Sequence, residues 1–425
     1  MSFTLKEGRV LLIGGPAAVV VRAGVVSILG ADLAAGRRVV VRRGKALPLQ
    51  ALGDSTLELT EGEGSARTEL QGSTIPESWT RVAKEISTHR PSPVMVLGAA
   101  DRGKNTFCIY LSNMILKEGG SVTMVDGDVG QGDIGPPTSI SMALVEYPLF
   151  DLFALRPEEA IFIGSTTPSG VQNRVLEAIS TLLGETDKKR PSLTLINTDG
   201  WVIGDDAAEY KLRLLALIAP QAVVGIQLEG ELEPILSVAE YRGHQVFRVE
   251  PSSAVRERDR DVRRGLREQC YRKFLSGAIM RKFPIGRLRT EYTFLSSPEV
   301  DDTLRDLLSK LLHRPVLVYA DTYGGLRVLV KGSEEVEEQT ALRASQMIGK
   351  PLRFVAEDEA KGLLLGLMEG RGRFLGLGIL KGIDFERRSL EVLTPCLEAP
   401  SIIRFGRIRL DEEFREIGFT QVYEP

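Results

Sequence analysis

A chain of 425 residues exceeds one ordinary domain and predicts two or three. Its 43% hydrophobic and 26% charged residues are a globular composition, and a formal net charge of -3 excludes a wholesale, histone-like mode of nucleic-acid binding while leaving room for a local basic patch. Cys108, Cys270 and Cys396 stand far apart, as do the three His, so neither a disulfide scaffold nor a zinc site is expected. No apolar run reaches membrane-spanning length and the start, "MSFTLKEGRV", lacks a signal peptide's apolar core. The expectation is a soluble, cytoplasmic protein with no membrane contact.

In chain order, "RVLLIGG", "AAVVVRAG", "VVSILGADL" and "RRVVVRRGKALPLQAL" read as short strands punctuated by Gly and Asp, an all-β sandwich or barrel over residues 1–72. A polar stretch, "LTEGEGSARTELQGSTIPES", leads to an amphipathic helix at "SWTRVAKEISTHR". From Pro91 the pattern alternates: "VMVLG" (strand), "KNTFCIYLSNMILKEG" (helix), "SVTMVDGD" (strand), then "SLTLINTDG", "AAEYKLRLLALIA" and "AVVGIQL" as strand, helix, strand. Such alternation predicts an α/β domain, a parallel sheet with helices on both faces, over residues 73–283. A charged helix at "AVRERDRDVRRGLREQCYRKFLSG" stands near its end. An α+β domain follows over residues 284–425, through "PVLVYADTYGGLRVLVKG", "GLLLGLMEGRGRFLGLGILKGIDF" and "RSLEVLTP".

Between the first strand and helix of the α/β domain lies Gly98-Ala99-Ala100-Asp101-Arg102-Gly103-Lys104-Asn105, followed by Thr106. It fits G-x-x-x-x-G-K-[ST] up to the last position. Glycines let backbone N–H groups close on phosphate oxygens, Lys104 neutralises the β/γ-phosphates, and the helix N-terminus adds positive potential. The bland alternative is a Gly-containing turn without ligand. Asn105 occupies the place of the hydroxyl that ordinarily ligates Mg²⁺; its carbonyl oxygen can ligate too, from a longer side chain. Thr106 cannot stand in, because one residue along a helix turns the side chain away.

"VTMVDGDVGQGDIG" sets Asp126, Asp128 and Gln131 at the carboxyl end of the next strand, where ligands of open parallel sheets bind. A carboxylate there can hold a metal's water or accept the proton of an attacking hydroxyl; an Asx-Gly turn is the plain alternative. Trp201 follows Gly200 at another strand end and can stack a base, or else pack under a loop. Between Arg256 and Lys273 eight basic residues face four acidic ones, either a solvated helix laced with ion pairs or an anion clamp.

Taken in order, these segments resemble the polynucleotide 5′-hydroxyl kinases: archaeal RNA kinases, the kinase subunit of the eukaryotic pre-mRNA cleavage and tRNA-splicing machinery, and pre-rRNA-processing kinases. The family's D-x-D-x-G-Q is matched by Asp126, Asp128, Gly130 and Gln131; "FIGSTTPSG" resembles its clasp, with Thr167 and Pro168 central; "NTDGWVIG" resembles its T-x-G-W-V-x-G segment; "RDRDVRRGLREQCYRKFLSG" resembles its lid helix, with Arg258 and Arg263 at the arginine positions. The departure is Asn105, where the family has Ser or Thr. The resemblance implies the three-part build and an ATP- and Mg²⁺-dependent kinase (Mn²⁺ as a substitute) acting on RNA, and DNA as a second class. It implies that residues 98–106 bind ATP, that Lys104, Asp128, Gln131, Arg258 and Arg263 are catalytic, and that Thr167, Pro168 and Trp201 hold RNA. Asn105 and Asp128 are then the metal ligands, and RNA-processing proteins the partners. Two other readings stand beside it. One is an ATP-binding scaffold of an RNA-processing complex without turnover. The other, a GTPase, needs an N-K-x-D motif, which the chain lacks.

Overall fold

The computed structural model describes residues 2–293, 301–322, 324–333 and 336–420; the remainder, including Tyr323 and part of the C-terminal segment read as α+β, lies outside the described residues. Two compact units emerge, one of Met1–Ile163 with Thr167–Cys270, the other of Gly164–Thr166 with Tyr271–Pro425.

The first unit begins with two antiparallel sheets of four and five strands. Strands such as Ser55–Glu61 alternate buried and less buried positions, the period-two pattern of a sheet with one face inward. The segment "RRVVVRRGKALPLQAL" holds two strands, Arg38–Val41 and Ala46–Ala51. The intervening Arg42 and Lys45 leave the ladder and send their charges elsewhere.

The central sheet has seven strands in the order Glu159–Phe162, Ser139–Val145, Val122–Gly127, Leu193–Thr198, Val94–Gly98, Ala222–Ile226, Gln245–Val249. The last five pair in parallel. The first two are antiparallel, so the sheet is mixed at one edge. Helices cover both faces, and the alternation of the strand Val94–Gly98 shows why. Val94 and Val96 enter a core with Trp79, Ile86 and Phe107 from the helices Glu77–His89 and Lys104–Lys117, a core that runs on into the β-rich segment. Met95 and Leu97 enter another with Ile179, Leu214 and Leu236, from the helices Gln172–Lys189, Asp205–Ile218 and Glu233–Tyr241. A strand apolar on both faces must be roofed on both. All five positions of Val94–Gly98 are buried.

In the second unit a larger, mainly antiparallel sheet carries one parallel pair, Arg289–Glu291 with Ile402–Leu410. A three-stranded sheet packs with the helices Asp302–Leu312 and Glu338–Ile348. The C-terminal part is therefore α+β and rich in strands. The backbone N–H of Arg407 donates to the carbonyl of Gly164 at 2.7 Å, which explains why Gly164–Thr166 belong to this unit. No helix among the described residues is long and apolar enough to cross a membrane.

Candidate active site

The strand Val94–Gly98 ends in a loop that turns through Gly103, at φ +93°, into the helix Lys104–Lys117. That angle suits glycine, and a Cβ there would also press on Val255 and Trp79 at 3.3–3.4 Å. Lys104 is 5% exposed, and its Nζ donates to the carbonyls of Gly98 (2.9 Å) and Ala99 (3.0 Å). Burial lowers its pKa. Asp101, at φ +57°, turns its nearly buried carboxylate to the lid segment. It accepts from Arg263 Nη2 at 2.6 Å and from the Arg258 N–H at 3.1 Å. Arg102 faces Glu231 and Glu257 at 3.5 and 3.6 Å. Arg263 lies on the helix Arg260–Phe274 and Arg258 in the loop before it. Both expected arginines therefore meet the phosphate loop, through a carboxylate.

Asn105 is engaged on both sides of its amide. Its Nδ2 donates to Asp133 at 3.3 Å, and its Oδ1 accepts from Asn197 Nδ2 at 3.1 Å. Asn197 donates also to Asp126 at 3.0 Å, while its own Oδ1 is buried without a hydrogen-bond partner. Asp133 is paired with Lys45 and, at 2.9 Å, with Arg42, whose guanidinium also clamps Asp151. Burial opposes that ionised carboxylate, yet Lys45 and Arg42 bring its pKa down to about 2. Thr106, one position on, is half-buried.

Asp126 lies at the end of its strand, 1% exposed, accepting from the N–H of Asp133 at 2.9 Å. Burial first, and Asp128 second, push its pKa up to about 7. Asp128 is half-buried; its Oδ1 accepts from the N–H groups of Gly130 (3.0 Å) and Gln131 (2.9 Å), leaving Oδ2 outside that turn. Burial raises its pKa and Lys104 opposes the rise. Gln131 donates to the carbonyls of Gly130 and Arg263, joining this turn to the lid helix. The acidic turn is thus an Asx turn that leaves one carboxylate oxygen outside it.

A divalent cation fits these donors in kind: hard oxygens on Asn105, Asp126 and Asp128, two carboxyls raised by burial and by neighbouring carboxylates (Asp128 on Asp126, Asp199 on Asp128), and the unpartnered Asn197 Oδ1. Among the described residues no three His, Cys, Asp or Glu cluster to hold a metal alone, so phosphate oxygens would complete the shell.

Of the two tryptophans, Trp79 is the core residue, fully buried, and Trp201 is half-buried. Trp201 lies stacked on Tyr210, ring centroids 5.7 Å apart. A Cβ on Gly200 would stand 2.6 Å from Ala100 N, so only glycine lets this turn lie against the phosphate loop. Thr167 is exposed; Pro168 is buried, its carbonyl accepting from Val171 at 3.0 Å. Asp133, Asn197, Asp199, Tyr210, Lys211, Arg42 and Lys45 were not predicted. Lys211 carried a signal, since it shares the helical period of Ala207, Leu214, Leu215 and Ile218, an apolar face where a lysine needs a partner.

A phosphate loop at the carboxyl ends of parallel strands, with acidic groups on a nearby strand and an arginine-bearing helix against the loop, defines the P-loop nucleotide-binding class. Within it, a family model described as the mRNA cleavage and polyadenylation factor CLP1 P-loop matches residues 98–277. A polyribonucleotide 5′-hydroxyl-kinase of Pyrococcus furiosus is 32% identical over 349 residues, 81% of this chain and 95% of that one. Its counterpart from Methanocaldococcus jannaschii is 28% identical, covering 78% and 90%. The polyribonucleotide 5′-hydroxyl-kinase Clp1 of Bos taurus is 27% identical, covering 60% and 63%. A solved structure of the Clp1p–Pcf11p complex superposes with a TM-score of 0.68 over 96% of this chain and 97% of that one, at 13% identity, a likeness of fold. The chain belongs to the Clp1/polyribonucleotide 5′-hydroxyl-kinase family.

Proposed function

We propose that this chain is an ATP-dependent polyribonucleotide 5′-hydroxyl kinase, transferring the γ-phosphate of ATP to the 5′-hydroxyl of RNA, with DNA 5′ ends as a second substrate class. The observation that carries the reading is the meeting of three parts: the phosphate loop, the Asp128 turn, and the lid arginines held by the loop's own Asp101.

The loop amides and Lys104 bind the phosphates, Lys104 exchanging the carbonyls of Gly98 and Ala99 for β/γ-oxygens. Asp128, one oxygen fixed by two amides, takes the proton of the 5′-hydroxyl on the other; its raised pKa makes it the stronger base. Gln131 orients the γ-phosphate. Arg258 and Arg263 pass from Asp101 to the transferring phosphoryl group and stabilise its charge. Trp201, Thr167 and Pro168 seat the terminal nucleotide. Mg²⁺, or Mn²⁺ in its place, would be held by Asn105 and Asp128 and would neutralise charge on the β- and γ-phosphates when bound.

We place the domain boundaries near residues 72 and 283, and expect RNA-processing proteins as partners. The engaged amide of Asn105 favours a second reading, an ATP-binding scaffold without turnover. One assay separates the two: label from γ-labelled ATP appearing on a 5′-hydroxyl oligoribonucleotide supports the kinase, while tight ATP binding with no label transferred supports the scaffold.

A further inference from the structure

Behind Trp201 lies a charged cluster that the phosphoryl-transfer reading leaves unused. Lys211 has no exposure; its Nζ reaches Asp199 Oδ2 at 2.8 Å and the Asp199 carbonyl at 3.0 Å. The Tyr210 hydroxyl donates to the same Oδ2 at 3.0 Å, and Asp199 Oδ1 accepts from the backbone N–H of Trp201 at 2.9 Å. Every oxygen of Asp199 thus has a donor, and the Tyr210 ring lies 5.7 Å from that of Trp201, the planes 28° apart. On its other flank the turn touches the phosphate loop, as the clearance of Gly200 against Ala100 requires.

Burying an ion pair is a poor way to gain stability, because desolvation cancels most of the attraction and apolar residues of equal volume do as well. What such a pair does supply is fixed geometry. Asp199 can satisfy Lys211, Tyr210 and the Trp201 amide together in only a narrow range of turn conformations. We infer that Asp199, Tyr210 and Lys211 are positioning residues that hold the Trp201 ring at a set height and tilt for the terminal base of the RNA, and tie that ring to the ATP-binding loop. The inference rests on the reading of Trp201 as a base-stacking residue. In this inference the cluster acts through Trp201.

The test compares the full-length protein with Tyr210→Leu, with the paired Asp199→Asn/Lys211→Met, and with Trp201→Ala. The readouts are KM for a 5′-hydroxyl oligoribonucleotide, KM for ATP, kcat, and quenching of tryptophan fluorescence by the oligonucleotide. Trp79 is buried, so quenching reports Trp201. Trp201→Ala should raise the RNA KM about tenfold or more, the size of one stacking contact. Tyr210→Leu and the paired variant should raise it severalfold and weaken quenching, with the ATP KM within about twofold. Adding Tyr210→Leu to Trp201→Ala should then change the RNA KM no further. Should Tyr210→Leu not fold, Tyr210→Phe, which keeps the ring and removes only the hydroxyl on Asp199, carries the same comparison with a smaller rise. If Trp201→Ala raises the RNA KM while the cluster variants lower only thermal stability, the positioning role is overturned and the stacking reading stands. If Trp201→Ala itself leaves the RNA KM unchanged, the stacking reading falls and the inference with it.

Discussion

Asp128, just past the strand Val122–Gly127, and Asn105, in the first turn of the helix Lys104–Lys117, face opposite demands. In the proposed mechanism Asp128 takes and releases a proton, and its surroundings suit that: two amides fix one oxygen while burial raises its pKa. Asp128→Asn should keep ATP binding and lower kcat by on the order of 10²-fold or more, the scale of a lost general base. Turnover close to the natural value would make the residue a turn former and move the base elsewhere. Asn105 must be still, and its amide bridges Asp133 and Asn197. A threonine carries one oxygen and cannot span both. Asn105→Thr should therefore lower stability by about 1 kcal/mol, the net value of a lost hydrogen bond, while raising kcat with Mg²⁺ more than it lowers the KM for ATP. Thermal denaturation and steady-state kinetics on the same preparation read both. An unchanged kcat would show that the amide oxygen is already a competent ligand.

At the scale of elements, the β-rich segment and the kinase sheet are joined by charge. Arg42 and Lys45, in the gap between two N-terminal strands, reach Asp133 just past the acidic turn, and Asp133 in turn holds Asn105. Since its folded pKa of about 2 lies below an unfolded value near 4, Asp133 contributes stability at all pH values above about 4, lost as pH falls toward 2. Asp133→Asn should cost about 3 kcal/mol at pH 7, as breaking a buried pair does, and much less near pH 2. An equal loss at both pH values would mean that packing, not charge, is what the substitution removes. None of this was readable from periodicity. The strand Ala66–Gln71 was taken for a polar stretch because it is an edge strand with mostly exposed side chains, which leaves no alternation to read. The antiparallel pair at the sheet's edge escaped for a related reason: Ser139–Val145 and Glu159–Phe162 join a sheet whose other members announce themselves by strand–helix alternation, and only a single 3-10 turn, Leu152–Ala154, stands between these two. The candidate site was legible where its geometry depends on local spacing, as at Gly98–Thr106 and Asp126–Gln131. It was not where the partner comes from a distant element, as with Asn197, Lys45 and Lys211.

For the whole molecule, the family relationship and the arrangement of the first unit describe one device. Five parallel strands bring Gly98, Gly127 and Thr198 to a common edge, and from that edge hang the phosphate loop, the acidic turn and the Trp201 turn. The arginine-bearing helix and the loop before it meet the phosphate loop through Asp101, which accepts from Arg263 Nη2 and the Arg258 N–H. The central claim is that this arrangement transfers phosphate to RNA 5′-hydroxyls. It is tested most directly by following γ-labelled ATP onto paired oligoribonucleotides that differ only in a 5′-hydroxyl or a 5′-phosphate, with the natural protein and with Lys104→Ala, each shown to be folded. The account predicts label on the 5′-hydroxyl RNA alone, and none with Lys104→Ala, which has lost the cation on the β/γ-phosphates. Transfer that persists in Lys104→Ala, or a natural protein that binds ATP and labels neither RNA in Mg²⁺ or Mn²⁺, would contradict it.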